Sequence, residues 1–410
     1  MPKVLFMNCA CTGSTGKIIG DIADYAVLKG YENILCAPCA PGSNKNIKYY
    51  RTSLPKEQGI YRRLNYLYGF QYGLAPLSTA RIKRIICKEK PDIIHIHCIN
   101  GFMVDIYSLI GYIKKHHIPT VITNHAEFFY TGSCALAYEC EQWMTGCKNC
   151  PREKQSTGGK IWKTAAAGWK RMEKAFSNWD RVIMVSVSPW VGKRAAMAPI
   201  VKSIPQAVVT NGVNTQVFTY RDPAALRRKY GFSPATKIIF HPTASFSDSE
   251  ADRKGGRFVI ELAKRFAGED VVVLVAGRYA DRLQLPDNMT MLGMLSDQKR
   301  LAEYYAMADV TVVAGKQETF NMPVAESLCC GTPVVGFLAG GPESIAIKKY
   351  SYFSEHGNVD LLENNLRKLL VSNLDAEMIS NEAQQYYAAS TMAEQYIGLY
   401  DRVLTGVNES

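Results

Sequence analysis

No apolar run in the 410-residue sequence approaches the roughly 20 residues that a bilayer-crossing helix needs, so the chain is not expected to span a membrane. Low-complexity tracts and short-period repeats are also missing, which argues against disordered linkers and solenoid arrays. A complete phosphate-binding loop is lacking. Gly13-Ser14-Thr15-Gly16-Lys17 is followed by Ile18, and Cys11 stands where the leading Gly of Gly-x4-Gly-Lys-Ser/Thr belongs, so an ATPase of that type is not supported. Nor is there a convincing secretory signal. The apolar stretch Val4 to Cys9 is short and runs into Thr12-Gly13-Ser14-Thr15-Gly16, which reads as a first strand and its turn. A cytoplasmic start is therefore expected, and the twelve cysteines read as reduced thiols, with a metal site among them, rather than as a disulfide framework.

What is present points to a large folded protein. The composition, 47% hydrophobic and 21% charged, is that of a globular chain, and 410 residues exceed what one core usually serves. Two domains of about 200 residues each are the natural expectation. The formal charge of +11 is uneven: residues 1 to 205 hold 28 Lys+Arg against 13 Asp+Glu, which leaves 20 against 24 in the remainder. A basic first half suits an anionic partner, whether a lipid surface, a diphosphate-bearing acceptor or nucleic acid; plain solubility charge is the alternative.

Short β-rich runs alternate with helical patterns. Val4 to Asn8, Asn33 to Cys36, Asp92 to His95, Thr120 to Thr123 and Val182 to Val187 form one series. Lys237 to His241, Val271 to Ala276, Val310 to Val313 and Val334 to Phe337 form another, with helices predicted at Gly256 to Phe266 and Leu301 to Met307. Such alternation implies two parallel, doubly wound α/β sheets. The Asn211-Gly212 turn signal places the boundary near 205, giving domains 1–205 and 206–389. In open parallel sheets ligands bind at the carboxyl ends of the strands, so function is expected in post-strand loops facing an interdomain cleft.

The densest signal follows the strand Val310 to Val313: Glu318-Thr319-Phe320-Asn321-Met322-Pro323-Val324-Ala325-Glu326-Ser327-Leu328-Cys329-Cys330-Gly331-Thr332-Pro333-Val334-Val335. Pro323 suits a helix's first turn and Gly331-Thr332-Pro333 its end, so Asn321 and Met322 fall where helical amides lack partners and the dipole is positive. Such an end attracts phosphate or sugar oxygens. A glycosidase also uses two carboxylates, but needs them about 5 to 9.5 Å apart at one bond. The blander alternative is two surface glutamates on a solvated helix.

Glu-x7-Glu followed by Cys-Gly-Thr-Pro-Val-Val resembles the signature of glycosyltransferase family 4, and the likeness extends over essentially the whole chain. It implies the GT-B fold, two facing Rossmann-like domains, with the first on the acceptor side, the second binding a nucleotide sugar, and a terminal helix at about 390–410 returning to the first. It implies that Glu318 holds donor-sugar hydroxyls, that Glu326 holds the ribose, and that Phe320, Asn321 and Met322 offer backbone amides; Asn321 stands where the family more often has Gly. Upstream, Arg253-Lys254-Gly255-Gly256 opens a helix. The family clamps its diphosphate with an Arg and a Lys. Lys254 matches the second, and with Ser245 near the usual Arg position, Arg253 is the candidate substitute. The stretch around Gly293-Met294 resembles the family's base-binding turn, and Gly13 and Ser14 its glycine-rich first loop. Thr123-Asn124-His125-Ala126 resembles its histidine element, in which His125 approaches the donor sugar and acceptor; His95 and His97 read as structural.

Cys134, Cys140, Cys147 and Cys150 lie within seventeen positions, which suggests tetrahedral structural zinc. Buried thiols or disulfides are the alternatives. The run resembles a cysteine-rich insertion of bacterial exopolysaccharide and colanic-acid-type transferases. Basic and aromatic residues mingle from Tyr61-Arg62-Arg63 to Tyr72 and from Lys160-Ile161-Trp162-Lys163 to Arg171, as in segments that lie on anionic bilayers or, equally, in ordinary packing helices. The resemblance thus implies a retaining, nucleotide-sugar-dependent hexosyltransferase-like enzyme of surface polysaccharide or capsule synthesis. It would use a UDP- or GDP-sugar donor and a saccharide or polyprenyl-diphosphate-linked acceptor, with no cofactor required for catalysis. It would sit in the cytoplasm against the membrane's inner face and bind no nucleic acid. A nucleotide-sugar epimerase of similar shape and a zinc-stabilised nucleic-acid or membrane module are the rival readings.

Overall fold

The computed structural model describes residues 1–11, 13–39, 44–279 and 283–406, so Thr12 of the first turn and residues 407–410 lie outside the described residues. The chain falls into two compact units, Met1–Thr210 with Met392–Ser410, and Asn211–Thr391.

The first unit holds seven strands: β1 (Lys3–Met7), β2 (Glu32–Ala37), β3 (Ile47–Arg51), β4 (Ile93–Ile96), β5 (Thr120–Asn124), β6 (Val182–Ser186) and β7 (Gln206–Val208). Their order is β3-β2-β1-β4-β5-β6-β7, and every pairing is parallel. The second unit holds β8 (Lys237–Ser245), β9 (Val271–Arg278), β10 (Met289–Gly293), β11 (Val310–Val313), β12 (Val334–Phe337) and β13 (Ser351–Ser354), in the order β10-β9-β8-β11-β12-β13, again all parallel. The core strands β4, β5, β6, β11 and β12 are buried along their whole length. Covering helices on both faces require such continuous apolar runs.

Each sheet reverses its winding once, between β1 and β4 in the first unit and between β8 and β11 in the second. At such a switch point the loops leaving two neighbouring strands diverge to opposite faces, and the carboxyl edge opens a crevice.

The helix Ala389–Thr405 packs into the first unit's core, where Met392, Tyr396, Leu399, Tyr400 and Val403 join Val4, Phe6, Ile22 and Val121. Burying residues of this size contributes roughly 1.5 to 3 kcal/mol each. Two hydroxyls make the seat specific: Tyr400 Oη lies 2.7 Å from His95 Nδ1, and Tyr396 Oη lies 3.0 Å from Thr123 Oγ1. Among the described residues no helix is long and apolar enough to cross a membrane.

Candidate active site

At the second unit's switch point, the loop from β8 carries Lys254 and the loop from β11 carries Glu318. Lys254 Nζ lies 2.5 Å from Glu318 Oε1. The loops are stitched together by Lys316 N donating to Arg253 O at 2.9 Å. Gly255 makes this approach possible. Its φ is +74°, and a Cβ there would stand 2.1 Å from Ala314 O. Asp252 closes the turn by accepting from Lys254 N at 3.0 Å.

Glu318 is fixed from the other side by backbone. Its N–H donates to Ala339 O at 2.9 Å, and its carbonyl accepts from Gly341 N at 2.8 Å. Glu343 holds that partner turn, accepting from Ala339 N at 3.0 Å and Gly340 N at 2.7 Å. Gly341 has to be glycine, because a Cβ would reach 2.5 Å from the Thr319 carbonyl carbon.

The helix Met322–Cys329 starts three residues beyond Thr319, with Asn321 as its N-cap and Pro323 in its first turn. Asn321 adopts φ 80°, the left-handed region that glycine and, after it, asparagine tolerate. This accounts physically for the exchange of Gly for Asn here. Among the described residues Asn321 Oδ1 is buried without a hydrogen-bond partner, and Phe320 is buried beside it in the sequence. The first-turn amides of this helix have no intrahelical acceptors, and their dipole favours an anion. Glu326, one turn on, accepts from Tyr305 Oη at 3.0 Å, and the burial of Tyr305 with this carboxylate beside it raises the phenol well above its usual range. Arg253 is exposed, and Gly293, with φ +70°, ends edge strand β10 and leaves Met294 on the surface. The stretch around Gly293-Met294, which resembles a base-binding turn, thus begins inside a strand, because Met289–Gly293 is β10 and Gly293 pairs with Ala276 of β9.

In the first unit, Gly13 opens the helix Gly13–Leu28 at the carboxyl end of β1 with φ +81°, and Ser14 is exposed beside it. Gly16 lets the turn close, since its Cβ would stand 2.5 Å from Cys11 O. His125 follows β5. Its Nε2 lies 2.9 Å from His97 Nδ1, and burial pushes its pKa down to about 4, so it is neutral at physiological pH. His97, which the sequence presents as a structural residue, lies in contact with His125. Glu127, two residues on, is fully buried and accepts from Arg194 Nε at 2.6 Å, Tyr130 Oη at 2.9 Å and Ala137 N at 2.6 Å. It anchors the cysteine-bearing segment.

The four cysteines of that segment neighbour one another, yet among the described residues no three His, Cys, Asp or Glu side chains are placed to hold a metal ion. Cys147 Sγ lies 3.7 Å from Thr131 O and Cys150 Sγ 3.5 Å from Ser156 Oγ, so these thiols engage the surrounding protein. Burial, reinforced by the other cysteines, pushes the Cys134 and Cys147 thiols up to about 12. As placed, the set does not fit a tetrahedral zinc. Trp143 and Trp169, joined by a 2.7 Å bond from Trp169 Nε1 to Trp143 O, hold the segment instead.

Residues 16–217 match the family model described as Glycosyltransferase Family 4, and residues 243–386 the one described as Glycosyl transferases group 1. The N-acetyl-alpha-D-glucosaminyl L-malate synthase of Bacillus anthracis is 25% identical over 202 residues, 48% of this chain and 52% of that protein, so the match spans about half of that relative's length. WcaC of Escherichia coli K12, named a putative colanic acid biosynthesis glycosyl transferase, is 20% identical over 76% of this chain and 77% of its own. Among solved structures, Anabaena HepE in complex with UDP superposes with a TM-score of 0.65 at 14% identity, covering 97% of this chain and 99% of that one. With one model over each parallel sheet and a solved relative's fold along nearly its full length, the chain belongs to the family 4, group 1 glycosyltransferases and has their GT-B fold.

Proposed function

We propose that the protein is a retaining glycosyltransferase that moves a sugar from a nucleoside diphosphate donor to a hydroxyl of a saccharide or lipid-linked saccharide acceptor in bacterial surface polysaccharide synthesis. The observation that carries the reading is the meeting of Lys254 and Glu318 at the switch point, beside the start of the helix Met322–Cys329. A cation and a carboxylate held together suit a sugar diphosphate: the ammonium faces phosphate oxygens while the carboxylate accepts from sugar hydroxyls.

In the reaction the bond between the anomeric carbon and the diphosphate oxygen breaks, and a bond to the acceptor oxygen forms on the same face. The acceptor's proton passes to the departing phosphate. Negative charge grows on the diphosphate as that bond breaks, and Lys254, Arg253 and the amides of Phe320, Asn321 and Met322 are assigned to stabilise it. Preorganised donors of this kind act most strongly where charge develops. In the second unit Glu326 is assigned to the ribose hydroxyls and Gly293 and Met294 to the base; in the first unit Gly13 and Ser14 are assigned to phosphate oxygens and His125 to a sugar oxygen. The HepE structure contains UDP, and UDP or GDP is the donor nucleotide proposed for this chain.

Peripheral attachment to an anionic membrane is part of the proposal. The helix Glu57–Tyr68 exposes Ile60, Leu64 and Leu67, and the adjoining loop exposes Ile161 and Trp162. The two are joined by Lys160 N donating to Tyr66 O at 2.9 Å, with Lys160 Nζ 4.4 Å from the Tyr66 ring centroid. Arg62, Arg63, Lys160 and Lys163 are exposed around them. Exposed apolar groups ringed by cations suit the boundary between anionic headgroups and acyl chains.

A screen of nucleotide sugars for acceptor-dependent release of nucleoside diphosphate tests the proposal. Glu318→Ala is expected to abolish release while the thermal midpoint stays near wild type. Near-normal turnover by that variant would remove Glu318 from its role.

A further inference from the structure

Five of the twelve cysteines gather at the carboxyl edge of the first sheet: Cys9 and Cys11 beyond β1, Cys36 and Cys39 at and beyond the end of β2, and Cys98 beyond β4. β1 and β2 run in register, with Met7 beside Cys36, so the two segments leave the sheet as neighbours. Their outermost cysteines meet. Cys11 N donates to Cys39 Sγ at 3.3 Å, and the Cys11 thiol donates to the Cys39 carbonyl. Each residue lays its sulfur against the other's backbone, so the two side chains pass one another within reach of a side-chain rotation.

The two thiols differ in exposure. Cys11 is 8% exposed, whereas Cys39 is open to solvent, and both are free. Burial first, then the Cys39 thiol beside it, pushes the Cys11 thiol up to about 12, so Cys11 is protonated at physiological pH. An accessible thiol beside a second, resolving one is the arrangement in which a sulfenic acid is captured as a disulfide.

Cys11 is also built into the loop that leads to Gly13 and Ser14. Asn8 braces this loop, its Nδ2 donating to Thr15 Oγ1 at 3.1 Å and its Oδ1 accepting from Cys98 N at 3.1 Å. The first turn of the helix Gly13–Leu28 rests on Cys11, since a Cβ at Gly16 would stand 2.5 Å from the Cys11 carbonyl oxygen. A movement of Cys11 is therefore passed to the helix start.

We propose that Cys39 is a site of oxidation by peroxides, with Cys11 as its resolving thiol, and that the disulfide they close displaces the loop before Gly13 and Ser14 and lowers transfer. This rests on the assignment of Gly13 and Ser14 to phosphate oxygens. With hydrogen peroxide as oxidant, the Cys39 sulfur attacks one oxygen, the O–O bond breaks, and water leaves a sulfenic acid at Cys39. The Cys11 sulfur then attacks the Cys39 sulfur, the S–O bond breaks, and the departing hydroxide takes the Cys11 proton as a second water. Two thiols lose two electrons in all, and one peroxide becomes two waters. To form the bond, Cys11 Sγ has to leave the Cys39 carbonyl, which is the movement passed to the helix start.

The test exposes reduced full-length protein to hydrogen peroxide, blocks the remaining thiols by alkylation, and maps cross-linked peptides by mass spectrometry beside an assay of nucleoside diphosphate release. Wild type is expected to yield a Cys11–Cys39 cross-link and to lose turnover about tenfold or more, as misplacing a binding group by about 1 Å can cost about 100-fold. Dithiothreitol should restore both thiols and the turnover. Cys39→Ser should match wild type before peroxide and keep its turnover afterwards, and Cys11→Ser should leave a sulfenic acid at Cys39 that dimedone traps. The proposal would be overturned by absence of the Cys11–Cys39 cross-link, by a cross-linked protein with turnover within twofold of the reduced form, or by equal inhibition of Cys39→Ser. Failure of the transferase reading would appear separately, as absence of turnover by the reduced protein with every nucleotide sugar, while the peptide map would still decide whether the bond forms.

Discussion

Replacing Lys254 with Met separates a structural from a catalytic role for the switch-point ion pair. The two side chains are 34% and 20% exposed, so water screens the pair and its contribution to folding should be about 1 kcal/mol or less, despite the 2.5 Å contact. For a unit of this size that corresponds to a thermal midpoint lower by about 2 to 4 °C at most. If Lys254 instead faces a diphosphate whose charge grows in the transition state, its loss should lower kcat about 100- to 1,000-fold, near 2.7 to 4 kcal/mol. The same substitution therefore predicts a small stability effect and a large kinetic one. Steady-state release of nucleoside diphosphate, read beside a melting curve, gives both numbers on one preparation. Lys254→Arg should lie between wild type and Lys254→Met, since it keeps the charge but not the compact ammonium. Turnover within threefold of wild type in Lys254→Met would refute the reasoning, and so would a loss of activity accompanied by a collapse of the melting transition.

Burial depresses the pKa of His125 and His241 to about 4, below the ordinary value of 6.5 that applies when the chain is unfolded. The unfolded chain then binds more protons, so the stability they contribute is complete above pH 6.5 and is lost as pH falls toward 4, by about 3 kcal/mol for His241; melting at stepped pH checks the direction. Tyr400→Phe removes one of the two hydroxyls that satisfy buried His95 and should destabilise the first unit by about 1 to 3 kcal/mol in chemical denaturation, without altering nucleotide affinity. Replacing Ile161 and Trp162 together by Asp should weaken sedimentation with vesicles rich in anionic lipid and leave the thermal midpoint unchanged, because both side chains are more than 60% exposed. Equal binding by this variant would remove the proposed membrane face.

Much of the fold was legible because buried parallel strands have to be apolar throughout. Val310 to Val313 and Val334 to Phe337 were read with the bounds they have in the structure. The four strands the sequence did not reveal, β3, β7, β10 and β13, are the two edges of each sheet. An edge strand keeps one side near solvent, and Ile47–Arg51, with no fully buried residue, and three-residue Gln206–Val208 show why no apolar run announces it. At the candidate site, Lys254 and Glu318 could be singled out from local motifs, but their contact depends on strand order, since 64 positions separate them. The pairing of His97 with His125 was hidden for the same reason: it arises from the register that sets β4 beside β5. The cysteine spacing suggested a metal shell, whereas Cys147 Sγ faces the Thr131 carbonyl and Cys150 Sγ the Ser156 hydroxyl, contacts that spacing cannot reveal.

The central claim is that the second unit grips a nucleoside diphosphate through Lys254 and Glu326, and calorimetric titration of UDP and GDP into the full-length protein measures it directly. Saturable binding of one of them, weakened at least tenfold by both Lys254→Met and Glu326→Gln, is the predicted result. The account would be contradicted by absence of binding at millimolar nucleotide, or by affinity that neither substitution changes.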